Sequence, residues 1–211
     1  MKKLGEQVMR IVFFAAACAS ILAVVLICVF LFANGLPAIA EIGVFDFLLG
    51  QKWKPSNDIY GILPMILGSI YVTAGAVIVG VPIGILTAIF MAKFCPKGLY
   101  RFLKPATELL AGIPSVVYGF FGLVVIVPII GRFNDGNGSS ILAASLLLGI
   151  MILPTIIGVS ESAIRAVPES YYEGGRALGA SHERSVFFAT LPAASSGILA
   201  AVVLGIGRAI G

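Results

Sequence analysis

Five stretches of this chain run for more than twenty residues without a charged side chain: 11–33, 59–92, 109–131, 136–160 and 185–207. A helix crossing a bilayer core of about 30 Å needs about 20 apolar residues, because each adds about 1.5 Å. The bilayer is therefore the solvent for most of the chain, which reads as an all-α polytopic helical bundle with about five crossings. Composition agrees: 59% of the 211 residues are apolar and 11% are charged, against about 25% charged in soluble domains. The mean hydropathy is +1.07.

The first stretch follows Lys2, Lys3 and Arg10 and is too long for the apolar core of a cleaved leader, so it reads as a retained helix. The second, 59–92, is too long for one perpendicular span. Pro64 is expected to mark an interfacial segment before the helix, and Pro82 to bend it. Two regions follow, 1–58 with one helix and an outer loop, and 59–211 with the transmembrane core. The loop 34–58 carries Phe45, Phe47 and Trp53, aromatic residues suited to a membrane interface. A plain interfacial loop and contact with an outer partner are both open readings of it.

Orientation follows from Lys and Arg in short loops. One side holds Lys2, Lys3, Arg10, Lys93, Lys97, Arg101, Lys104, Arg165, Arg176 and Arg184; the other holds Lys52, Lys54 and Arg132. The expectation is a multi-pass protein of the cytoplasmic membrane with its N-terminus and the loop 165–192 in the cytoplasm. This bias accounts for the net charge of +4, and no nucleic acid is expected as a partner.

Cys18, Cys28 and Cys95 show no paired spacing, and His182 stands without other metal-ligating residues near it in sequence. There is no P-loop, HExxH or CxxC pattern. The chain is not expected to be an enzyme or to bind a cofactor itself. The pairs Gly80/Gly84 and Gly207/Gly211, and Gly119 with Gly122, are small-residue patterns that let helices approach closely in lipid.

The loop 165–192 reads RAVPESYYEGGRALGASHERSVFFATLP. Pro168 can open a helix with Glu169 in its first turn, and Gly179 can stop it near Leu178. A second short helix is expected to start near Ser181, with Glu183 in its first turn, and to lead toward Pro192. A plain connection needs far fewer residues, and a compact two-helix element suits docking into a cleft.

The spacing Glu173, Gly174, Gly175, then Gly179, then Leu191 and Pro192 resembles the EAA motif of ABC importer permeases. Two glycines stand where that motif has alanines, and Ala189 replaces its usual larger apolar residue. Residues 45–73, 112–123, 152–168 and 205–211 are similar to phosphate permeases of the Pst system, of the PstC type. The resemblance implies the MetI-like type I importer fold and a function as one half of a channel importing inorganic phosphate. It implies a dimeric ABC ATPase carrying ATP and Mg, a homologous second permease of the PstA type, and an extracytoplasmic phosphate-binding protein. The loop 165–192 would transmit ATPase closure to the helices. It also implies that the last helix continues beyond Gly211 and that another follows, so the chain reads as truncated at its C-terminus. An importer for sulfate or molybdate, a transporter without an ATPase, and a membrane scaffold remain as alternatives.

Arg208 lies inside an apolar run, where a charge costs at least about 2.5–3.5 kcal/mol. A guanidinium forks well onto oxyanions, so Arg208 either lines the substrate path or reaches to the interface. Glu108 and Glu161 are expected to anchor helix ends at the interface. Ser115, Tyr118 and Thr155 offer hydrogen bonds within spans, to an oxyanion or to neighbouring helices.

Overall fold

The computed structural model describes residues 2–133 and 138–210. The expected start of the fourth stretch at Gly136 and the small-residue step ending at Gly211 lie outside the described residues. Two compact units divide between Ile66 and Leu67.

In the first unit, α1 (Lys2–Ile42) is longer than the apolar stretch within it and runs through Pro37. The loop expected from residue 34 is therefore helical as far as Ile42. Gly43 ends it: its φ of +93° is open to glycine, and its amide donates to Ile39 O at 3.0 Å. A short α2 (Val44–Leu49) follows. Strands β1 (Trp53–Lys54) and β2 (Ile59–Tyr60) then pair antiparallel, with Trp53 opposite Tyr60. Their rings meet edge to face at 5.7 Å. Phe45 and Trp53 are exposed, while Phe47 is half-buried. The hairpin is closed by bonds from Gly61 N to Lys52 O and from Ile62 N to Phe47 O, both 2.9 Å.

Helix α3 (Leu63–Ile89) continues into a π turn, Phe90–Phe94. Pro64 sits in its first turn, where a missing N–H breaks no helical bond, so no separate interfacial segment precedes it. Next come α4 (Lys97–Gly112), α5 (Ser115–Phe121), a π turn at Gly122–Ile126, and α6 (Val127–Phe133). The expected span 109–131 is thus broken at Ile113 and Pro114, and the apolar helix runs from Ser115 to Arg132. Tyr118 Oη donates to Leu110 O at 2.8 Å and caps the end of α4. Helix α7 (Ile141–Ala166) opens on Ser140, whose hydroxyl accepts from Ala143 N.

The second unit is built around α7. Ile152 and Ile156 are fully buried, and glycines on neighbouring helices face them. A Cβ on Gly80 would stand 2.9 Å from Ile152 Cδ1 and 3.0 Å from Gly149 O, and one on Gly84 2.8 Å from Ile156 Cγ2. On the last helix, a Cβ on Gly205 would be 2.8 Å from Ile156 Cγ1. These contacts explain the Gly80/Gly84 step, since backbones in lipid gain by close approach rather than by a hydrophobic drive. Gly122 faces Leu147, whereas Gly119 has open space beside it.

Beyond α7 lie α8 (Glu169–Ala177), α9 (His182–Ser185), a π turn at Val186–Thr190, α10 (Leu191–Ala193) and α11 (Ser195–Ile210). The segments His182–Ala193 and Ser195–Ile210 are bent by 69°. The expected span 185–207 is therefore a broken helix. Among the described residues, four helices are long and apolar enough to cross a membrane, or five if that bent pair is one span.

Candidate functional site

The loop 165–192 is a helical hairpin whose shape comes from its own punctuation. Pro168 stands at the N-cap of α8. Gly179 takes φ +82°, and its amide and that of Ala180 return to Arg176 O and Gly175 O at 3.0 and 3.2 Å. That is the glycine-dependent termination the spacing predicts. Ser181 caps α9 by accepting from Arg184 N at 3.3 Å.

The two glycines after Glu173 differ in surroundings. A Cβ on Gly175 would lie 2.8 Å from Ser185 Oγ and 3.2 Å from its Cβ, so a small residue is needed where α8 crosses α9. Gly174 has nothing within 4 Å. Glu173 is exposed, and so is Leu178, at 91%. Leu191 packs on the buried cluster of Ala88, Ile89, Ile164, Val186 and Ala194, while Pro192 is exposed beside it.

The hairpin is fastened to the π turn that ends α3. Tyr172 Oη and His182 Nδ1 are hydrogen-bonded at 2.9 Å, and the Phe94 ring meets His182 edge-on at 4.9 Å. Lys93 Nζ lies 3.5 Å from Glu169. His182, isolated in the sequence, is thus seated between two aromatic rings.

Just below this root, Glu161 departs from its expected place at the interface. It is 1% exposed. Tyr100 Oη and Arg165 Nε donate to Oε1 at 2.7 and 2.6 Å, and Lys104 Nζ to Oε2 at 2.7 Å. Arg165 also donates to Met91 O at 2.8 Å and lies over the Tyr100 ring. A buried carboxylate is tolerable only with such pairing. The hydrogen bonds to Glu161 hold the Tyr100 hydroxyl and the Lys104 ammonium above their ordinary pKa values. Glu108, in contrast, stays exposed, 3.9 Å from Lys104. The four-residue step from Glu161 to Arg165 was readable as a helical ion pair. Nothing in the sequence announced Tyr100 or Lys104.

Arg208 on α11 donates from Nη1 to Thr155 Oγ1 on α7 at 3.0 Å. It is half-buried, and no carboxylate stands within ion-pair distance among the described residues. Of the three polar groups singled out within spans, Thr155 joins Arg208, Tyr118 caps α4, and Ser115 is exposed. An apolar groove of ≈ 590 Å³ between Val72, Leu123 and Leu147 has no charged side chain among the described residues that line it.

Residues 80–211 match the model of the binding-protein-dependent transport system inner membrane components. The chain belongs to that family. The chain is 42% identical over its whole length to the probable ABC transporter permease protein YqgH of Bacillus subtilis, 70% of which it covers. It is 33% identical to the phosphate transport system permease protein PstC of Mesorhizobium japonicum, over 92% of this chain and 66% of that one. The corresponding Haemophilus influenzae protein is 34% identical over 79% of this chain and 59% of that one. The chain therefore spans about 60–70% of the length of these relatives. Its fold is similar to that of a chain in an inward-facing structure of the MetNI methionine ABC transporter, with a TM-score of 0.55 and 22% identity over 72% of this chain and 68% of that one. The expected MetI-like fold and the multi-pass membrane character follow from these findings and from the apolar helices.

Proposed function

We propose that this chain is a permease subunit of an ATP-driven importer of inorganic phosphate. The observation that carries the reading is the hairpin 165–192. Its internal contacts account for Gly175, Gly179 and Leu191 but leave Glu173, Gly174 and Leu178 facing outward. An exposed acidic and apolar face on a rigid two-helix element is what a docking partner requires. The partner in this reading is an ABC ATPase dimer, which carries the ATP and Mg; this chain binds neither. A homologous second permease completes the pathway, and an extracytoplasmic binding protein delivers the substrate. The Lys and Arg bias supports a cytoplasmic N-terminus and hairpin.

Phosphate as the substrate is supported by relatives named as phosphate transport permeases and by Arg208, a cation in an apolar run whose partner among the described residues is a hydroxyl. The guanidinium retains N–H donors for a passing oxyanion. The test is ATP-dependent uptake of radiolabelled phosphate by the assembled complex, with sulfate and molybdate as competitors. Arg208→Gln is expected to lower uptake about 10- to 100-fold, the loss of a hydrogen bond to a charged group worth about 1.5–3 kcal/mol, with assembly intact. Unchanged uptake removes Arg208 from the path. Preferential sulfate transport reassigns the substrate, and an active complex without an ATPase ends the proposal.

A further inference from the structure

Helix α4 is not one of the helices apolar enough to cross a membrane, yet it carries two adjacent stripes of opposite character. The exposed Lys97 and Arg101 and the half-buried Lys104 recur at helical spacing along one stripe. Phe102, Pro105 and Leu109 form the next, with Phe102 72% and Leu109 74% exposed. A helix of this kind lies in the plane of a membrane, apolar stripe toward the acyl boundary and cations among the headgroups.

Beside the cationic stripe is a cleft of ≈ 620 Å³, lined by Lys93, Cys95, Lys97, Arg101, Lys104 and Arg165, among others. Its cations are not equivalent. Lys104 and Arg165 are committed to Glu161, and Lys93 stands 3.5 Å from Glu169. Lys97 and Arg101 have no carboxylate within ion-pair distance among the described residues. The first turn of α4 opens at the same end, after Pro96 and without a side-chain cap. Five cations thus line one cleft, and among the described residues the carboxylates within ion-pair distance of them are those of Glu108, Glu161 and Glu169, which pair with Lys93, Lys104 and Arg165.

We propose that this cleft binds the phosphodiester of an anionic phospholipid, in the leaflet at the hairpin end of the bundle. Lys97 and Arg101 hold the charge, and the acyl chains lie along Phe102 and Leu109. Basic pockets between membrane helices suit such headgroups, with each cation near an anionic surface contributing about 1 kcal/mol. Inorganic phosphate shares the anion chemistry but has no use for the exposed apolar stripe, which favours the lipid as occupant. The Glu161 contacts join this cleft to the root of the hairpin through Arg165 and Met91, so an occupied site braces α4 against the end of α3.

The test is native mass spectrometry of the assembled transporter released from nanodiscs containing equal phosphatidylglycerol and phosphatidylcholine. Retained lipid is expected to favour phosphatidylglycerol. The double variant Lys97→Gln/Arg101→Gln should reduce that preference about 30-fold, two cations at about 1 kcal/mol each and 1.4 kcal/mol per factor of ten. Both residues are exposed, so folding is not at stake. The charge-preserving Lys97→Arg/Arg101→Lys chain should keep the preference. Millimolar inorganic phosphate should not displace the lipid; displacement would identify a free-anion site and overturn the proposal. An unchanged lipid preference in the glutamine variant also overturns it. So does a photocrosslinker at position 101 that captures a protein subunit instead of lipid. None of these outcomes depends on whether the transporter carries phosphate.

Discussion

Two ionised groups on membrane helices are treated oppositely by this fold. Glu161 on α7 is buried and accepts three hydrogen bonds from Tyr100, Lys104 and Arg165. Arg208 on α11 has, among the described residues, one neutral partner, Thr155. The difference separates structural charge from available charge. Both carboxylate oxygens of Glu161 are engaged inside the chain, and its burial keeps it from a ligand. The Arg208 guanidinium keeps donors in reserve, which is the property a passage for anions requires.

The comparison breaks most readily at Glu161. Glu161→Ala leaves Arg165 without a carboxylate and Lys104 with only Glu108, 3.9 Å away, at the place where α4, α7 and the π turn meet. The lost hydrogen bonds to a charged group are worth about 1.5–3 kcal/mol each, discounted because Lys104 and Arg165 are partly exposed and regain water. The expected result is a large fall in thermal stability of the purified complex and in its yield, whereas Arg208→Gln leaves both nearly unchanged while lowering uptake. If Glu161→Ala melts like the parent, the cluster is not structural and the contrast with Arg208 fails.

The hairpin offers a finer version of the same contrast, between adjacent residues. Gly175→Val forces a side chain into Ser185 and should cost about 1–3 kcal/mol through overpacking, read as a lower melting temperature and displaced α9. A Cβ on Gly174 would have open space, with no atom of another described element within 4 Å, so Gly174→Val is accommodated. It should leave stability within about 0.5 kcal/mol but weaken co-purification of the ATPase. Equal effects at both positions on both measurements would remove the distinction between an inner and an outer glycine.

The sequence carried the hairpin well because each feature is local. Pro168, Gly179 and Ser181 act on their own backbone, and the structure places the helix ends beside them. The apolar stretches were equally plain, but their edges were not. Charge marks where a chain leaves the membrane, yet helix continuity depends on backbone hydrogen bonding. α1 therefore continues past Pro37, the stretch 109–131 breaks at Pro114, and the last one bends near Ala194. The Glu161 cluster was half legible. Arg165 sits one helical turn away, but Tyr100 and Lys104 arrive from α4, nearly sixty residues earlier, and only tertiary packing brings them together. The same holds for Arg208 and Thr155, both singled out for polarity but joined only by the packing of α11 on α7.

The smallest expected effect concerns pH and tests whether the Glu161 cluster is electrostatically closed. Tyr100 and Lys104 titrate higher in the folded chain than their ordinary values of about 10 and 10.4, because each donates to the Glu161 carboxylate. A raised folded value means that the protonated form is favoured by folding. The contribution is complete below the ordinary values and is lost as pH rises through the raised ones. Stability from this cluster should therefore be flat from neutral pH to about 9 and decline above about 10. Both side chains are partly open to solvent, which keeps the effect modest. Melting temperatures between pH 8 and 11 should fall less steeply in Tyr100→Phe than in the parent, since the phenol is one of the two titrating donors. Parallel curves would show that the phenol's proton contributes nothing, leaving Lys104 and Arg165 to hold Glu161 alone.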